Sequence, residues 1–478
     1  MDRGRDCRLC HWDTADTLRH SSAASRSAVP QSNRMLAPIL LLALLPGTVQ
    51  TPSDEDFKVY TDAPRIFLNA RRLRLLRRER ERDSMRWQHF QTLMEGKALM
   101  PEPGLANALY FMIKTDPTYA KSAVEWALAP GADLRQQAIV FDWCAKAIPI
   151  AQNDALASRL EKGIAQSAGK TDVKTVSARV LAAAALAERK PELTEATIRA
   201  AVVDWWRGYV VPSIQKGEPV IHRDDVLPLF EFLHAVRDNT NTELRDPVPA
   251  FFHDLPSYLL LSYYPAPYPA PENEYRIPVF YEDGDPDLHR AALARAGEFV
   301  MVAYDNNAVE SQFLQGWLMQ DRYLMKSPLG AVYEMLWANP YQPGLSYFHL
   351  PLVFRDEKRK GGALALRSNW DETAVLFTYI EGKAQVFDNG ARKLADLKKL
   401  DPPLHIADAA VTSRLSFEAD SQAYFILGLT PGAPYEVEVD DEGMYEELAD
   451  AGGVLLLKLQ PGAGQVRIHP PTGLALTR

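Results

Sequence analysis

Between Pro64 and about Trp337, apolar side chains recur three and four positions apart, the spacing of helices with one buried face, and the breaks fall at Pro and Gly. The spacing predicts helices over 65–82, 104–115, 118–128, 134–150, 153–167, 174–188, 193–214, 224–238, 248–263, 286–304, 308–325 and 328–338. Asp116-Pro117, Asp285-Pro286 and Ser327-Pro328 mark three of the starts, because proline is tolerated in a first turn. Helices joined by short loops imply stacked antiparallel pairs, and the lack of a strict repeat argues against a short-repeat solenoid. The stretch 264-YPAPYPAPENEYRIP-278 is too rich in proline for a helix and is expected to lie across a surface.

After Gly344 the period changes to two. Residues 363–368, 373–380, 383–387, 422–429, 435–439 and 453–459 read as strands, and Asp388-Asn389-Gly390 is a hairpin signal because Asn-Gly favours a type I′ turn. Strands with no helices between them indicate an antiparallel sandwich. The expected division is a helical domain over 60–345 and a β domain over 350–478, with the boundary near 345–350. The joining piece, 337-WANPYQPGLSYFH-349, carries five aromatic or imidazole rings in thirteen residues and is expected to pack between the domains.

One long apolar run breaks the pattern. Residues 36-LAPILLLALL-45 are ten in number, whereas a helix across a bilayer needs roughly 20. Ten suits the apolar region of a secretory signal peptide, and the polar TVQTPSDED stretch follows as a cleaved junction would. Residues 1–50 are therefore expected to be a leader, with Met35 as the start and 1–34 an over-extended gene model, and the mature protein is expected to be secreted or periplasmic. This removes 7-CRLCH-11, which has the spacing of a c-type haem attachment, so no haem is expected. Only Cys144 then remains, in an apolar setting that makes it a buried thiol. With one Cys there is no intrachain disulfide framework.

A net charge of −9 argues against wholesale nucleic-acid binding, and no second apolar run implies a membrane span. The local exception is 71-RRLRLLRRERERD-83, with seven arginines in thirteen residues. It could bind a polyanion; the favoured reading is a solvated helix face, with Glu79, Glu81 and Asp83 as opposite charges.

The β region opens with Gly362, Arg367, Ser368 and Trp370 in 362-GALALRSNWDETAVLF-377, a G-x-x-x-x-R-S-x-W pattern, and the helical region opens with 64-PRIFLNARRLRLLRR-78. With a signal peptide, a helical domain and an aromatic linker, these features resemble the heparinase II/III-like polysaccharide lyases, relatives of oligoalginate lyases, over most of residues 60–390. The resemblance implies an incomplete (α/α) toroid followed by an antiparallel β-sandwich. It also implies β-elimination on a uronate: a side chain neutralises the sugar carboxylate, and a base removes the C5 proton. The sequence departs from the family at the chemistry. Where the family opens an inner helix with an Asn-His pair, 168-AGKTDVKTVSARVLAAAALA-187 has neither residue. The next expected Tyr and His are represented by His222 alone in 217-GEPVIHRDDVLPLFEFLH-234. The segment 381-EGKAQVFDNGARKLADL-397 lacks the family's zinc-ligand histidines, and His349 with His405 would be a poor site, so no metal or other cofactor is expected.

The candidate catalytic residues are His222, Tyr347 and His349. His222 could serve as base or carboxylate neutraliser, or could be a surface residue beside a helix cap at Asp224. Tyr347 and His349 could share proton transfer in a cleft between the domains, or simply pack there. The candidate substrate-binding residues are Arg223 and Arg367, for an acidic group, and Trp337, Asn339 and Tyr341, for a sugar-stacking platform. Asn306, Asn307 and Glu310 read as caps, and Trp205-Trp206 as core. Two functions follow: a secreted lyase that cleaves an acidic polysaccharide or oligosaccharide, or a non-catalytic extracellular carbohydrate- or protein-binding module on the same scaffold.

Overall fold

Six of the helices follow one another in a circuit of side-by-side contacts. They are α3 (Pro103–Lys114), α5 (Leu134–Cys144), α7 (Val173–Ala185), α10 (Val226–Thr240), α12 (Leu288–Tyr304) and α14 (Pro328–Trp337); each packs on the next, and α14 packs back on α3. The helices between them lie outside: α4 (Pro117–Ala127), α6 (Ile150–Ser167), α8 (Pro191–Arg199), α11 (Pro249–Leu261) and α13 (Val309–Gln320). The computed structural model describes residues 56–270, 273–281, 284–320, 327–395, 404–406 and 415–471. The 7-CRLCH-11 motif and the apolar run 36–45 lie outside these residues. Among the described residues, no helix is long and apolar enough to cross a membrane.

The inner helices are the most apolar. All of Gln136–Cys144 and all of Val180–Leu186 are buried, and Ala182, Ala183 and Ala184 are fully so, because small side chains let neighbouring helices close on every side. Aspartates cap three of their starts: Asp133 accepts from the Gln136 amide, Asp172 from Thr175 and Asp287 from Arg290, so α12 begins after the expected Asp285-Pro286 start.

Two expectations at the start of the fold change. Helix α1 spans Ala70–Glu81, because Asn69 caps it and accepts from the Arg72 amide. Residues 65–68 are instead pinned in the core, where the amides of Arg65 and Ile66 donate to buried Asp142 at 2.8 and 2.9 Å. A second helix, α2 (Met85–Glu95), follows a break at Asp83 (φ +50°) and is capped by Ser84; the apolar periodicity did not reveal it. Arg71, Arg74 and Arg78 of α1 are exposed, as a solvated face requires, but the face is not wholly solvated. Arg77 and Arg80 donate to the carbonyls of Met112 and Ile113, which end α3 and would otherwise lack partners. The segment 200–210, expected as ordinary α-helix, is wound as a π-helix between α8 and α9 (Val211–Gln215).

The proline-rich stretch forms a short hairpin, β1 (Tyr268–Ala270) with β2 (Asn273–Tyr275). After α14 come strands β3 (Val353–Arg355), β4 (Ala363–Arg367), β5 (Leu376–Ile380), β6 (Lys383–Asp388) and β7 (Ala391–Leu394), one antiparallel sheet in that order. The β6–β7 turn holds Asn389 at φ +48° and Gly390 at φ +75°, the pair of left-handed residues that a type I′ turn requires. Two further sheets follow. One has the order β12 (Met444–Leu448), β11 (Pro434–Val439), β14 (Gln465–His469), β9 (Leu415–Glu418). The other has the order β13 (Leu455–Lys458), β10 (Ala423–Leu427), β8 (Leu404–Ile406). The β10–β8 pair is parallel, a departure from the purely antiparallel expectation.

Alternation along the strands sets the layers. Tyr424 and Ile426 of β10 face a core shared with Val437 of β11 and Val466 of β14, while Phe425 and Leu427 face one shared with Phe377 and Tyr379 of β5. The opposite face of the first sheet, through Leu376 and Phe387, packs on Tyr264, Ile277, Val279 and Phe280. The proline-rich stretch thus joins helices to sheet. Tyr264 donates to Gln385 at 2.5 Å and Tyr281 to Thr378 at 2.9 Å.

His234, buried in α10, has its pKa pulled down to about 4, first by burial and then by Arg72 and Arg237, against the upward pull of Asp238. The native imidazole is therefore neutral where the unfolded one, near 6.5, takes up a proton. Stability from this group is complete above pH 6.5 and is lost as pH falls toward 4, by up to about 3 kcal/mol. Asp142, raised to about 6 by burial, acts in the opposite direction over the same window. Denaturant titrations of wild type and His234→Gln between pH 7 and 4 are expected to show a shallower acid loss in the variant.

Candidate functional site

The starts of α5 and α7, with the end of α6, enclose a groove of about 630 Å³. Its lining carries Arg135, Arg159, Lys162, Lys170 and Lys174 against two carboxylates, Glu102 and Asp133. Both carboxylates are already engaged. Asp133 caps α5, and Glu102 accepts from Arg135 at 3.1 Å and from Tyr333 at 2.8 Å. Arg159 is held by the carbonyls of Ala127 and Ala129, while Lys162, Lys170 and Lys174 are exposed. On a chain of net charge −9 this is a local cationic trough.

Below it lies a buried network that fixes four helices. Arg135 of α5 pairs with Glu231 of α10 at 2.5 Å and donates to Tyr333 of α14 at 2.9 Å, while Glu102 stands at the start of α3. Burial alone would lower the Arg135 guanidinium, but Glu102 and Glu231 outweigh it and hold it well above its usual value. Burial raises Glu231 and pushes the Tyr333 phenol far up, so the tyrosine stays protonated. Lys170 and Lys174 lie in 168–187, which the sequence marked only by its lack of Asn and His. Arg135, Arg159 and Lys162 come from two other helices, and periodicity gave no sign that these cations meet.

His222 stands beside the start of α10, whose neighbour is α7. Its amide donates to Asp225 at 3.0 Å, and its Nδ1 lies 3.1 Å from Glu381 of the β5–β6 turn. The imidazole side chain is 52% exposed. Glu381 also accepts from Arg359 at 2.9 Å and sits at φ +52°, a left-handed conformation uncommon for a glutamate. Asp225 has its pKa raised first by burial and further by Asp224 and Asp172; the last caps α7, so the two helix starts sense each other.

Arg223 and Arg367 are anchors in the seam between helices and sheet. Arg223 pairs with buried Glu298 at 2.9 Å, donates to Ser262 Oγ at 2.6 Å and lies over the Tyr263 ring. The Tyr263 hydroxyl donates to the same Glu298, and Arg367 donates to the Tyr263 carbonyl at 2.9 Å. Burial lowers Arg367 to about 10. Tyr347, in a 3₁₀ turn over Tyr347–His349, is buried between Trp317 and Trp370, and His349 is exposed at the end of that turn. Gly362 of the R-S-x-W motif has φ +86°, and a Cβ there would strike the Tyr379 ring. Trp337, Asn339 and Tyr341 lie elsewhere, lining a pocket at the ends of α10, α12 and α14. The named residues thus fall into three places: His222 at a helix start, Arg223, Arg367 and Tyr347 in the seam, and the Trp337–Tyr341 platform at the far end. Glu310 is taken by His253 at 3.0 Å.

Among the described residues, no group of three or more His, Cys, Asp or Glu is placed to hold a metal ion. Burial pushes the Cys144 thiol up to about 12, which makes it inert. No protein-family model matches the chain, and no curated protein matches it.

Glu298→Gln removes the charge that compensates Arg223 inside the seam and is expected to cost about 3 kcal/mol, the scale for one-sided disruption of a buried pair. Equilibrium unfolding in urea measures it; a loss below about 1 kcal/mol would mean that water reaches Arg223.

Proposed function

We propose that this protein is a heparinase II/III-like protein that binds an acidic, uronate-containing polysaccharide in the cationic groove at the starts of α5 and α7. The observation that carries the reading is the groove itself: Arg159, Lys162, Lys170 and Lys174 line one trough whose carboxylates are already engaged. A chain with a carboxylate on each sugar meets several cations at once, and each contact adds favourable, salt-sensitive attraction. In this reading the circuit of helices is an incomplete (α/α) toroid, the sheets are its accompanying sandwich, and the run 36–45 exports the protein to where such polymers occur.

Cleavage by β-elimination is the second reading, favoured by His222. Glu381 fixes Nδ1 of an exposed imidazole, the arrangement of an oriented general base. In that reaction a cationic side chain neutralises the uronate carboxylate and His222 takes the C5 proton. The C4–oxygen bond then breaks, leaving a C4–C5 double bond on the sugar, and the departing oxygen takes a proton from the protonated imidazole or from water to become a hydroxyl. Without that reaction the protein is a binding module on the same scaffold.

Titration of the full chain with alginate, heparan sulfate and polygalacturonate at low salt is expected to give binding that weakens as salt rises. The double variant Lys170→Glu, Lys174→Glu is expected to weaken it at least about tenfold. Absence of binding to every acidic polymer, or equal binding to neutral dextran, defeats the proposal. Ultraviolet absorbance of an unsaturated uronate, lost in His222→Ala, decides for elimination over binding alone.

A further inference from the structure

At the opposite end of α10, roughly 22 Å along its axis from His222, the ends of α10, α12 and α14 meet α1 around a pocket of about 220 Å³. Four arginines line it, Arg71, Arg72, Arg86 and Arg237, with two carboxylates, Glu79 and Asp238. Glu79 is paired with Arg86 at 3.2 Å, and Asp238 with Arg237 at 2.9 Å and with His234 at 3.4 Å. Arg71 and Arg72 are the cations in excess.

Arg72 is held for a purpose its local contacts do not exhaust. Its guanidinium lies 4.2 Å over the Trp337 ring, and among the described residues it makes one side-chain hydrogen bond, to the Phe67 carbonyl at 3.3 Å. A guanidinium has five donor hydrogens, so most remain to be met. Burial lowers its pKa to about 10, which leaves it charged at neutral pH. Two more donors point to the same deficit. Trp337 Nε1 and Gln342 Nε2 line this pocket in residues 3% and 7% exposed, and neither has a hydrogen-bond partner among the described residues. A buried donor left unmet costs about 1–3 kcal/mol, so these two groups, beside the unspent donors of half-buried Arg72, call for an acceptor. At the rim Tyr341, 65% exposed, is steadied by Arg82, which donates to its hydroxyl at 3.1 Å and lies against its ring.

We propose that this pocket is a binding site for a single small oxyanion, a carboxylate or sulfate, borne by one sugar unit that rests on Tyr341. The lining offers donors and positive charge where the ligand must offer acceptors and negative charge, and the volume admits one sugar ring and no chain. Arg72 and Gln342 meet the oxyanion, Trp337 supplies its indole N–H, and Tyr341 covers the apolar face of the ring. The site stands on this geometry and does not depend on the groove at the starts of α5 and α7.

Calorimetric titration of the full chain with glucuronate, glucose and inorganic sulfate tests it. Glucuronate is expected to bind, glucose not, and Arg72→Gln is expected to weaken glucuronate at least about tenfold, the loss of one charge-assisted contact. Sulfate binding as tight as glucuronate assigns the site to the free oxyanion and removes the sugar from the proposal. In the Lys170→Glu, Lys174→Glu background, which removes uronate binding in the groove, the Arg72-dependent binding of glucuronate is expected to persist. If that double variant abolishes binding while Arg72→Gln does not, the ligand sits in the groove and this pocket is not the site. If wild type binds neither glucuronate nor sulfate at millimolar concentration, the proposal falls without any variant.

Discussion

The joint between helices and sheet depends on one buried ion pair, Arg223 with Glu298. The pair joins the start of α10 to α12, and through Tyr263 it reaches the sheet, because Tyr263 donates its hydroxyl to Glu298 and accepts Arg367 on its carbonyl. Two charges withdrawn from water must satisfy each other and their remaining donors locally, or the fold loses several kcal/mol. Ser262 and Leu259 supply acceptors for Nη1 and Nη2 of Arg223, so helix and turn are fixed together. The seam is a packed joint, and the rings of Trp317, Tyr347 and Trp370 fill it further.

A closed seam pushes chemistry to the rims. His222 remains on the surface because Glu381, held in a left-handed turn, draws it toward the sheet while Asp225 holds its backbone to the helix start. The docking is equally tight at Gly217 (φ +74°), where an added Cβ would meet the Lys358 carbonyl at 1.8 Å and the glycine carbonyl accepts from the Lys360 amide. Only a glycine lets the two backbones approach so closely.

The cations show how a chain of net negative charge can carry basic sites. Arginines fall into two classes by what they touch. Arg77, Arg80 and Arg86 bond to carbonyls that end helices, and Arg135 and Arg223 to buried carboxylates; these are structural. The exposed lysines of the groove and Arg72 over Trp337 have donors left over, and those donors are what a ligand can use.

The helical and strand periods, the helix starts at Asp116-Pro117 and Ser327-Pro328, and the Asn389-Gly390 turn were legible from residues alone, since each depends on neighbours within a few positions. The motif arginine at 367 was legible as a residue but not as an anchor, because its partner, the Tyr263 carbonyl, lies 104 positions away. The same separation hid the groove, which draws Arg135, Arg159 and Lys170 from three helices, and the partnership of Arg72 with Trp337. It also gave Trp337 and Tyr347 different surroundings, the pocket beside Arg72 and the rings of Trp317 and Trp370, although ten residues part them. Local order follows from periodicity and caps, which are short-range. Which charges are spent inside and which remain for a ligand is settled only when distant helices bring their carboxylates and carbonyls together, because a buried charge takes whatever partner the packing supplies.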